Sequence, residues 1–431
     1  YKSLEFKNAD NVSIADKYIG FCNTGKRLTA KPLNVKFENL GDAVNSPKCD
    51  NMPFIDQNET FLVYNSNRIY MAEFDEYIWN IFTCNYKFSK WKKAKSIGSR
   101  INTSDNLFLA GASPNLENVV IKPDTYDVTD DLLITNSNGK NYDIPDKLNA
   151  NINGTKTIEK SGCVSTSGDT LFFSSDRPGG LGGQDIYYSL RIGDEWGVAQ
   201  NMGPTINTPY DDEYPNISAD GKTLYFASEG HNSMGGFDIF VSKFNVALQE
   251  WSQPENIGYP INSTYDDFTI SYSSSPRYAY VAAVRDGGFG DYDIYKVIFN
   301  NIAPPMVTYT GKVSVGDTTN STPLNQLSKK VSIQVFDKKT NQLYGEFSLN
   351  KSSKYVIPFP PGNFTLKIDA ESYGKYEKSM DIPDKQPDSP IMMNDIYLAN
   401  GSTATDTKKA TAKPGTGTKT KPATGAKPTK K

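Results

Sequence analysis

Histidine is almost absent from this sequence: His231 is the one histidine among 431 residues. A metal centre built on several imidazoles is excluded by that count, and a Ser-His-Asp arrangement would have to use this single ring. No G-x-S-x-G phrase occurs to present a nucleophile, and His231 lies in a loop, Ser228-Glu229-Gly230-His231-Asn232-Ser233, where a surface histidine is the plain reading. Cysteine is scarce as well. Cys22, Cys49, Cys84 and Cys163 show no C-x-x-C spacing, which argues against zinc or thiol-redox motifs; either up to two disulfides in one of three connectivities or free buried thiols are expected. Long apolar runs are missing, so no membrane-spanning helix is expected. The chain opens on Tyr1, neither Met nor Cys, and reads as a mature exported form, signal peptide removed, without a lipid-anchored N-terminus. Long amphipathic helices are not apparent. The glycine-rich stretches at 179–183 and 287–290 lack a following Lys-Ser/Thr, so strand-connecting turns are expected there and not phosphate loops. No cofactor and no metal is expected, and calcium would lack a loop of regularly spaced oxygens.

What the sequence does have is a repeat. The stretch 201–244 opens on Met202-Gly203-Pro204-Thr205-Ile206-Asn207, and the phrase "apolar, Gly or Asn, two variable residues, apolar, Asn" also starts at 40, 97, 148 and 257, at intervals of 57, 51, 54 and 55 residues. A second phrase, ISADGKTLYF at 217–226, has relatives at 12–21, 54–63, 112–121, 164–173 and, more loosely, 270–281. A third closes the best copies: a glycine ahead of Asp185-Ile186-Tyr187, Asp238-Ile239-Phe240 and Asp293-Ile294-Tyr295. Short alternating apolar runs recurring at such a period predict propeller blades, whereas a helical solenoid would show a 3.6-residue period. Six copies of the second phrase predict a six-bladed β-propeller over 1–300. Within a blade, NISA is the inner strand, Asp220-Gly221 the hairpin turn, TLYFAS and FDIFVSKF the next two strands, and 251–257 the outer one. Trp91, Trp196 and Trp251 open outer segments, where a large ring can cover the seam between blades. Ser3-Leu4-Glu5-Phe6 is expected to supply the strand that closes the ring.

Composition agrees with an all-β chain, with 26 Tyr, 22 Phe and 33 Gly serving short strands and turns. The repeat stops at Asn300-Asn301-Ile302-Ala303-Pro304-Pro305, and seven short alternating runs follow within 306–400, which predicts a small β-sandwich. The last stretch, 401–431, holds eight Lys against one Asp and no aromatic or large aliphatic residue, so it is expected to be a disordered basic tail. With a formal charge of −3 for the whole chain and +7 for this tail, residues 1–400 carry −10. The tail can attract peptidoglycan or another anionic envelope polymer, or it is a solvated extension. An acidic folded part in an exported chain argues against nucleic acid.

The acidic clusters Asp211-Asp212-Glu213 and Asp266-Asp267 follow the Ile-Asn phrase at equivalent places, where the chain crosses from an outer to the next inner strand. Such repetition points to a structural role, accepting bonds from neighbouring-blade amides, with a ligand role as the alternative. By strand order these crossovers share a face with the loops after the second strands. A partner peptide or glycan docking there, around the central channel, would meet Arg177, Glu229, His231 and Arg285.

The second domain carries Thr310-Gly311-Lys312-Val313, Val335-Phe336-Asp337, Tyr355-Val356-Ile357 and Phe359-Pro360-Pro361-Gly362-Asn363-Phe364, followed by Ala370-Glu371-Ser372-Tyr373-Gly374. It resembles the carboxypeptidase-regulatory-like, transthyretin-like domains, which usually serve as spacers or binding modules. ISADGKTLYFAS, SSDRPGGLGGQDIYYS and INTPYDDEYP resemble the TolB-type, WD-repeat-like propellers of Bacteroidetes envelope proteins. The order of the two domains is similar to the central part of PorE-type proteins of type IX secretion and gliding, and to OmpA-family proteins of that phylum. Those usually end in an OmpA-like peptidoglycan-binding domain, which this sequence does not show, so anchoring through that domain is not expected. The resemblance implies a non-enzymatic scaffold or adaptor at the periplasm or outer-membrane periphery, binding protein partners of an outer-membrane or secretion complex. A glycan- or peptidoglycan-binding module is the second reading. A hydrolase or lyase using paired propeller carboxylates is the third.

Overall fold

The computed structural model describes residues 9–103, 105–124, 130–139, 141–304, 306–316, 321–323, 331–350, 352–370, 373–382, 391–392 and 395–398. The chain divides into two compact units, Tyr1–Pro304 and Pro305–Lys431. Strand dominates both, as an all-β chain requires.

In the first unit the described strands form five antiparallel sheets. Blade I runs Asp50–Ile55, Phe61–Met71, Glu76–Lys87 and the outer pair Lys90–Trp91 and Lys95–Ser96. Blade II runs Asn106–Ala112, Asn118–Asp124, Leu133–Asn136 and Asp146–Lys147. Blade III runs Glu159–Val164, Thr170–Ser175, Asp185–Ile192, Glu195–Trp196 and Gln200–Asn201. Blade IV runs Asp212–Ile217, Thr223–Ser228, Asp238–Asn245, Glu250–Trp251 and Glu255–Asn256. Blade V takes Ile270–Tyr272, Tyr278–Ala283 and Asp293–Phe299, and its outer strand comes from the other end of the unit: Val35–Asn39 pairs antiparallel with Asp293–Phe299.

The expected sixth blade is therefore absent from the described residues. Its would-be hairpin, 12–21, lies inside helix α1, Ala9–Thr29. The turns that make the true inner hairpins hold a residue at positive φ in four blades, Glu59, Leu116, Gly168 and Gly221. The 12–21 copy offers only Ala15-Asp16-Lys17 at that place and has no Asn phrase ahead of it, and its residues continue as helix. Ser3–Phe6 lie outside the described residues, and the closing strand is Val35–Asn39.

Five apolar seams close the ring. Ile81 and Leu107 meet between blades I and II, Val120 and Val164 between II and III, Phe172 and Leu224 between III and IV, Ile239 and Ile270 between IV and V, and Ile294 and Leu62 between V and I. Trp91 lies edge-on to Tyr280, and Trp251 edge-on to Phe172, each across a seam. Tyr214 of blade IV and Phe268 ahead of blade V pack on the cluster between blades I and II. Contact with such distant blades crosses the centre of the ring, so these rings fill the channel at that level.

The Asn phrase is the fastener of each seam. Asn207 Oδ1 accepts the Ile186 amide at 2.7 Å while its Nδ2 donates to the Ile186 carbonyl at 3.0 Å. Asn45 does the same to Ile294, Asn102 to Ile81, Asn153 to Leu132 and Asn262 to Ile239. The carbonyl of each of these residues also accepts a backbone amide of the outer segment, Met202 on Ile186 at 3.0 Å for example, so it is the buried third-strand amide that would be left unpaired without the Asn. In blades III, IV and V the Asp of the Asp-Ile-aromatic phrase is held by an outer-strand Asn: Asp185 by Asn201 at 2.8 Å, Asp238 by Asn256 at 2.7 Å and Asp293 by Asn39 at 2.9 Å.

The second unit has two sheets. One joins Ser321–Pro323, Val307–Gly316, Lys354–Phe359, Ile391–Met392 and Ile396–Leu398, and the other orders Leu343–Phe347, Val331–Asp337, Gly362–Ala370 and Gly374–Ile382. Their apolar faces share one core, with Tyr309, Val313 and Phe359 meeting Ile333, Leu366 and Ile368. The basic tail, 401–431, lies outside the described residues. All four cysteines are free thiols; Cys84 and Cys163 are buried, and burial pushes the Cys163 thiol up to about 12, which keeps it protonated and unreactive.

Candidate functional site

The crossover face of the propeller is built from the ends of the Asn phrases and the loops after the second strands. Arg177, from the loop after Thr170–Ser175, donates through Nη1 to the Asn151 carbonyl at 3.1 Å, pairs with Glu159 at 3.3 Å, and covers the Phe173 and Tyr187 rings. Its Nη2 also reaches the Ile152 carbonyl, just ahead of Asn153. Arg285 repeats the move in blade V, donating to the Pro260 carbonyl at 2.6 Å and lying 3.3 Å from the Phe37 ring centre. Burial lowers the Arg285 pKa, although guanidinium remains charged at any physiological pH.

In blade IV the imidazole takes that place. His231 Nε2 bonds the Ile206 carbonyl at 2.9 Å, and the ring packs on Phe226 and Phe240. Part of the residue is open to solvent, yet partial burial of the ring lowers its pKa and favours the neutral form. Arg68 of blade I completes the series, with Nη2 on the Val44 carbonyl at 2.7 Å. Sequence reasoning missed Arg68, and the signal was present: Ser66-Asn67-Arg68 aligns with Ser175-Asp176-Arg177.

The acidic residues divide by place. Asp211 stands in the crossover and accepts the Gln184 amide at 2.8 Å; Asp266, its equivalent, accepts the Phe237 amide at 3.0 Å. Glycine lets the chain pass: a Cβ at Gly183 would lie 2.3 Å from Asp211 Oδ1, and one at Gly236 1.9 Å from Asp266 Oδ1. Asp212 and Glu213 do not stand in the crossover, since the inner strand already begins at Asp212. Asp212 is fully buried, accepts from the Thr208 amide and hydroxyl at 2.6 and 3.0 Å, and leaves its other oxygen without a partner. Its counterparts Asp50 and Glu159 each face an arginine. In blade IV the residue aligned with that arginine is Gly230, where a Cβ would lie 2.2 Å from Thr208 Oγ1, and it is the next residue, His231, that reaches the Ile206 carbonyl. With no cation beside it, desolvation pushes the Asp212 carboxyl up to about 7. Asp267, also buried, accepts the Ser263 amide at 2.6 Å and is raised well above the carboxylate range by desolvation. Glu213 pairs with Lys160 across the seam at 2.6 Å.

Glu229 is taken by the chain itself. Lys17 of α1 bonds it at 2.8 Å and stands 4.4 Å over the Tyr210 ring, and Gly25 of the same helix faces Met234. The predicted residues thus do not converge on one cleft: each serves its own seam, or α1. Among the described residues no group of three or more His, Cys, Asp or Glu could hold a metal. No described helix is long and apolar enough to cross a membrane.

The same face carries a feature with no counterpart among the described residues of the other blades. The second and third strands of blade I, 11 and 12 residues long against 6 in Thr170–Ser175, extend as a hairpin paired out to Met71 and Glu76. Tyr70 and Tyr77 sit opposite each other with ring centres 5.2 Å apart; Ile69, opposite Ile78, lies on the other face of the hairpin, and Phe74 is in its turn. Phe74 is 57% exposed, Tyr70 49%, Tyr77 43% and Ile69 38%. The tip is acidic, Glu73, Asp75 and Glu76, with the Asp75 carboxylate accepting from the Tyr70 hydroxyl. Alternation Ile-Tyr-Met and Tyr-Ile-Trp extends the strands, but the core ends at Ile78, and the end of the hairpin stays largely exposed, with Lys48 Nζ 3.6 Å over the Tyr77 ring.

No known protein family matches the sequence, and no curated protein does. Solved structures similar to this chain include TolB from Acinetobacter baumannii, at 14% identity over 59% of this chain and 56% of that one, with a TM-score of 0.38. A putative TolB from Agrobacterium tumefaciens matches at 15% over 76% of this chain and 98% of its own, TM-score 0.35. An endo-arabinase from Bacteroides thetaiotaomicron matches at 12% over 61% and 97%, TM-score 0.37. The chain spans little more than half the length of the first. At these scores the likenesses decide nothing about activity, and the propeller rests on the five sheets and their seams.

Proposed function

We propose that this chain is a non-enzymatic scaffold of a bacterial cell envelope. It works in the periplasm or at the periphery of the outer membrane, where it holds protein partners of a secretion or outer-membrane assembly. The observation that carries the reading is the blade I hairpin. Aromatic residues Tyr70, Phe74 and Tyr77 left largely open to water at one hairpin end, rimmed by the carboxylates of its tip and with Lys48 over the Tyr77 ring, are the composition of a protein-docking surface. Its acidic rim selects a partner whose apolar socket is flanked by lysine or arginine. The polar residues first expected to make contacts, Arg177, Asp211, Asp266, His231 and Arg285, support the reading differently: bonded into the seams, they stiffen the platform from which the hairpin projects.

The test is a photo-crosslinking residue placed at Phe74 in the native envelope, with one at the exposed Leu343 of the second unit as control. A discrete protein adduct formed from position 74, absent from position 343, is expected. Adducts of the same kind from both positions, or none from 74, would overturn the docking assignment.

A further inference from the structure

At the mouth of the ring opposite the crossover face, the inner-hairpin turns of blades I, II, IV and V enclose a pocket of about 500 Å³. That volume falls among small-ligand sites, which run roughly 300–1,000 Å³. One wall is aromatic: Tyr225 stacks on Tyr272 with ring centres 5.1 Å apart, and Tyr272 stacks on Phe299 at 5.9 Å. The other walls carry hydroxyls and amides, among them Gln57, Ser113, Ser271 and Ser274.

These groups are preset. Ser271 Oγ accepts the Ile55 amide at 3.0 Å across the seam between blades V and I, and Gln57 Nε2 donates to the Pro114 carbonyl at 3.3 Å across the next seam. Four hydroxyls remain, those of Thr223, Tyr225, Tyr272 and Ser274, which make no hydrogen bond to the described residues. Burial raises both tyrosines, Tyr225 to about 12, so each stays a neutral donor and acceptor at physiological pH.

The charges decide the ligand class. Among the described residues no Lys, Arg or His lines the pocket, and the one carboxylate there, Asp220, already accepts from Ser218 Oγ at 2.6 Å and the Lys222 amide at 3.1 Å. An anion would find no cation and one fixed negative charge, and a cation would find a carboxylate already bonded. A wholly apolar ligand would cover four hydroxyls without pairing them. A neutral, polyhydroxylated ring with one apolar face satisfies both kinds of wall. The geometry points to a binding site for an uncharged saccharide, formed by the Tyr225–Tyr272–Phe299 wall and the serine-rich turns facing it. It does not depend on the docking role of the blade I hairpin.

The test uses the full chain and calorimetric titration with cellobiose, maltose and N,N′-diacetylchitobiose, and digalacturonate as the charged control. Two variants are compared: Tyr225→Phe with Tyr272→Phe, which removes only the two hydroxyls, and Ser274→Trp, which fills the mouth from an exposed position. At least one neutral disaccharide is expected to bind saturably. Its affinity should fall about tenfold in the tyrosine double variant, the loss of two ordinary hydrogen bonds, and vanish in Ser274→Trp, both variants melting as the parent does. Should no neutral probe saturate, should digalacturonate bind as well as they do, or should Ser274→Trp bind unchanged, the assignment is wrong. If one variant fails to fold, the other decides alone.

Discussion

Asn207 and Ile186 exchange two hydrogen bonds across 21 residues of sequence, the side-chain oxygen supplying the acceptor that the outer segment of blade III does not offer to the Ile186 amide. The same exchange at Asn45, Asn102, Asn153 and Asn262 makes the ring a set of five fastened seams. Replacing Asn207 by Ala leaves the buried Ile186 amide unpaired, while the Ile186 carbonyl keeps the Met202 amide, and is expected to cost about 1–3 kcal/mol of unfolding free energy. Urea denaturation measures it, and a loss below about 0.5 kcal/mol would show that the seam does not need the clasp.

Gly236 and Asp266 form a second testable pair. A Cβ at Gly236 would lie 1.9 Å from Asp266 Oδ1, so Gly236→Ala should destabilise by displacing that carboxylate. Asp266 is exposed, and Asp266→Ala alone should cost little. In the double variant the clash has lost its object, and the penalty of Gly236→Ala should shrink by more than half. Additive effects in the cycle would contradict the contact.

Buried carboxylates set the pH dependence. Asp212 is pushed up to about 7 and Asp238 to about 6, both by desolvation. A folded-state pKa above the unfolded one means that the folded chain binds more protons in between, so stability is fully present below about pH 4 for these groups and is lost as pH rises through about 7. Asp212→Asn keeps an acceptor for the Thr208 amide and cannot ionise. The variant should lose part of the decline in stability between pH 5 and 8 that the parent shows. An identical slope in both proteins would mean that Asp212 does not titrate in that window.

Helix α1 is held on blade IV through Lys17, Glu229 and Tyr210. Lys17→Met should remove a partly buried ion pair and a cation–π contact, raising amide hydrogen exchange within Ala9–Thr29 several-fold while leaving the blades protected. Unchanged exchange in the helix would show that other contacts hold it.

Two phrases of the repeat differed in what they reported, and the reason is physical. The Asn phrase occurs five times, once per seam, because a clasp is needed wherever a third strand meets an interrupted outer strand. The alternating phrase occurs six times because alternation of apolar and polar residues also fits 12–21, a segment whose Ala15-Asp16-Lys17 makes no turn and which folds as helix. Residues tied to backbone geometry were legible in this way, Gly183 and Gly236 among them. The closing strand Val35–Asn39 was not, since its pairing with Asp293–Phe299 spans nearly the whole unit. Nor was the engagement of Arg177, His231 and Arg285, each bonded to a carbonyl that only the ring brings near. The exposed hairpin of blade I was hidden for another reason. Tyr70, Phe74 and Tyr77 look like core residues until the strand is seen to outrun its sheet.

The most direct measurement is affinity purification of the full chain from cross-linked native envelopes, set against the variant Tyr70→Ser with Phe74→Ser, at low and high salt. Both substituted side chains are exposed, so the fold should be untouched. The account predicts defined envelope proteins with the parent chain, recovered less well as salt rises and lost with the variant. The same proteins recovered equally by both chains would contradict it.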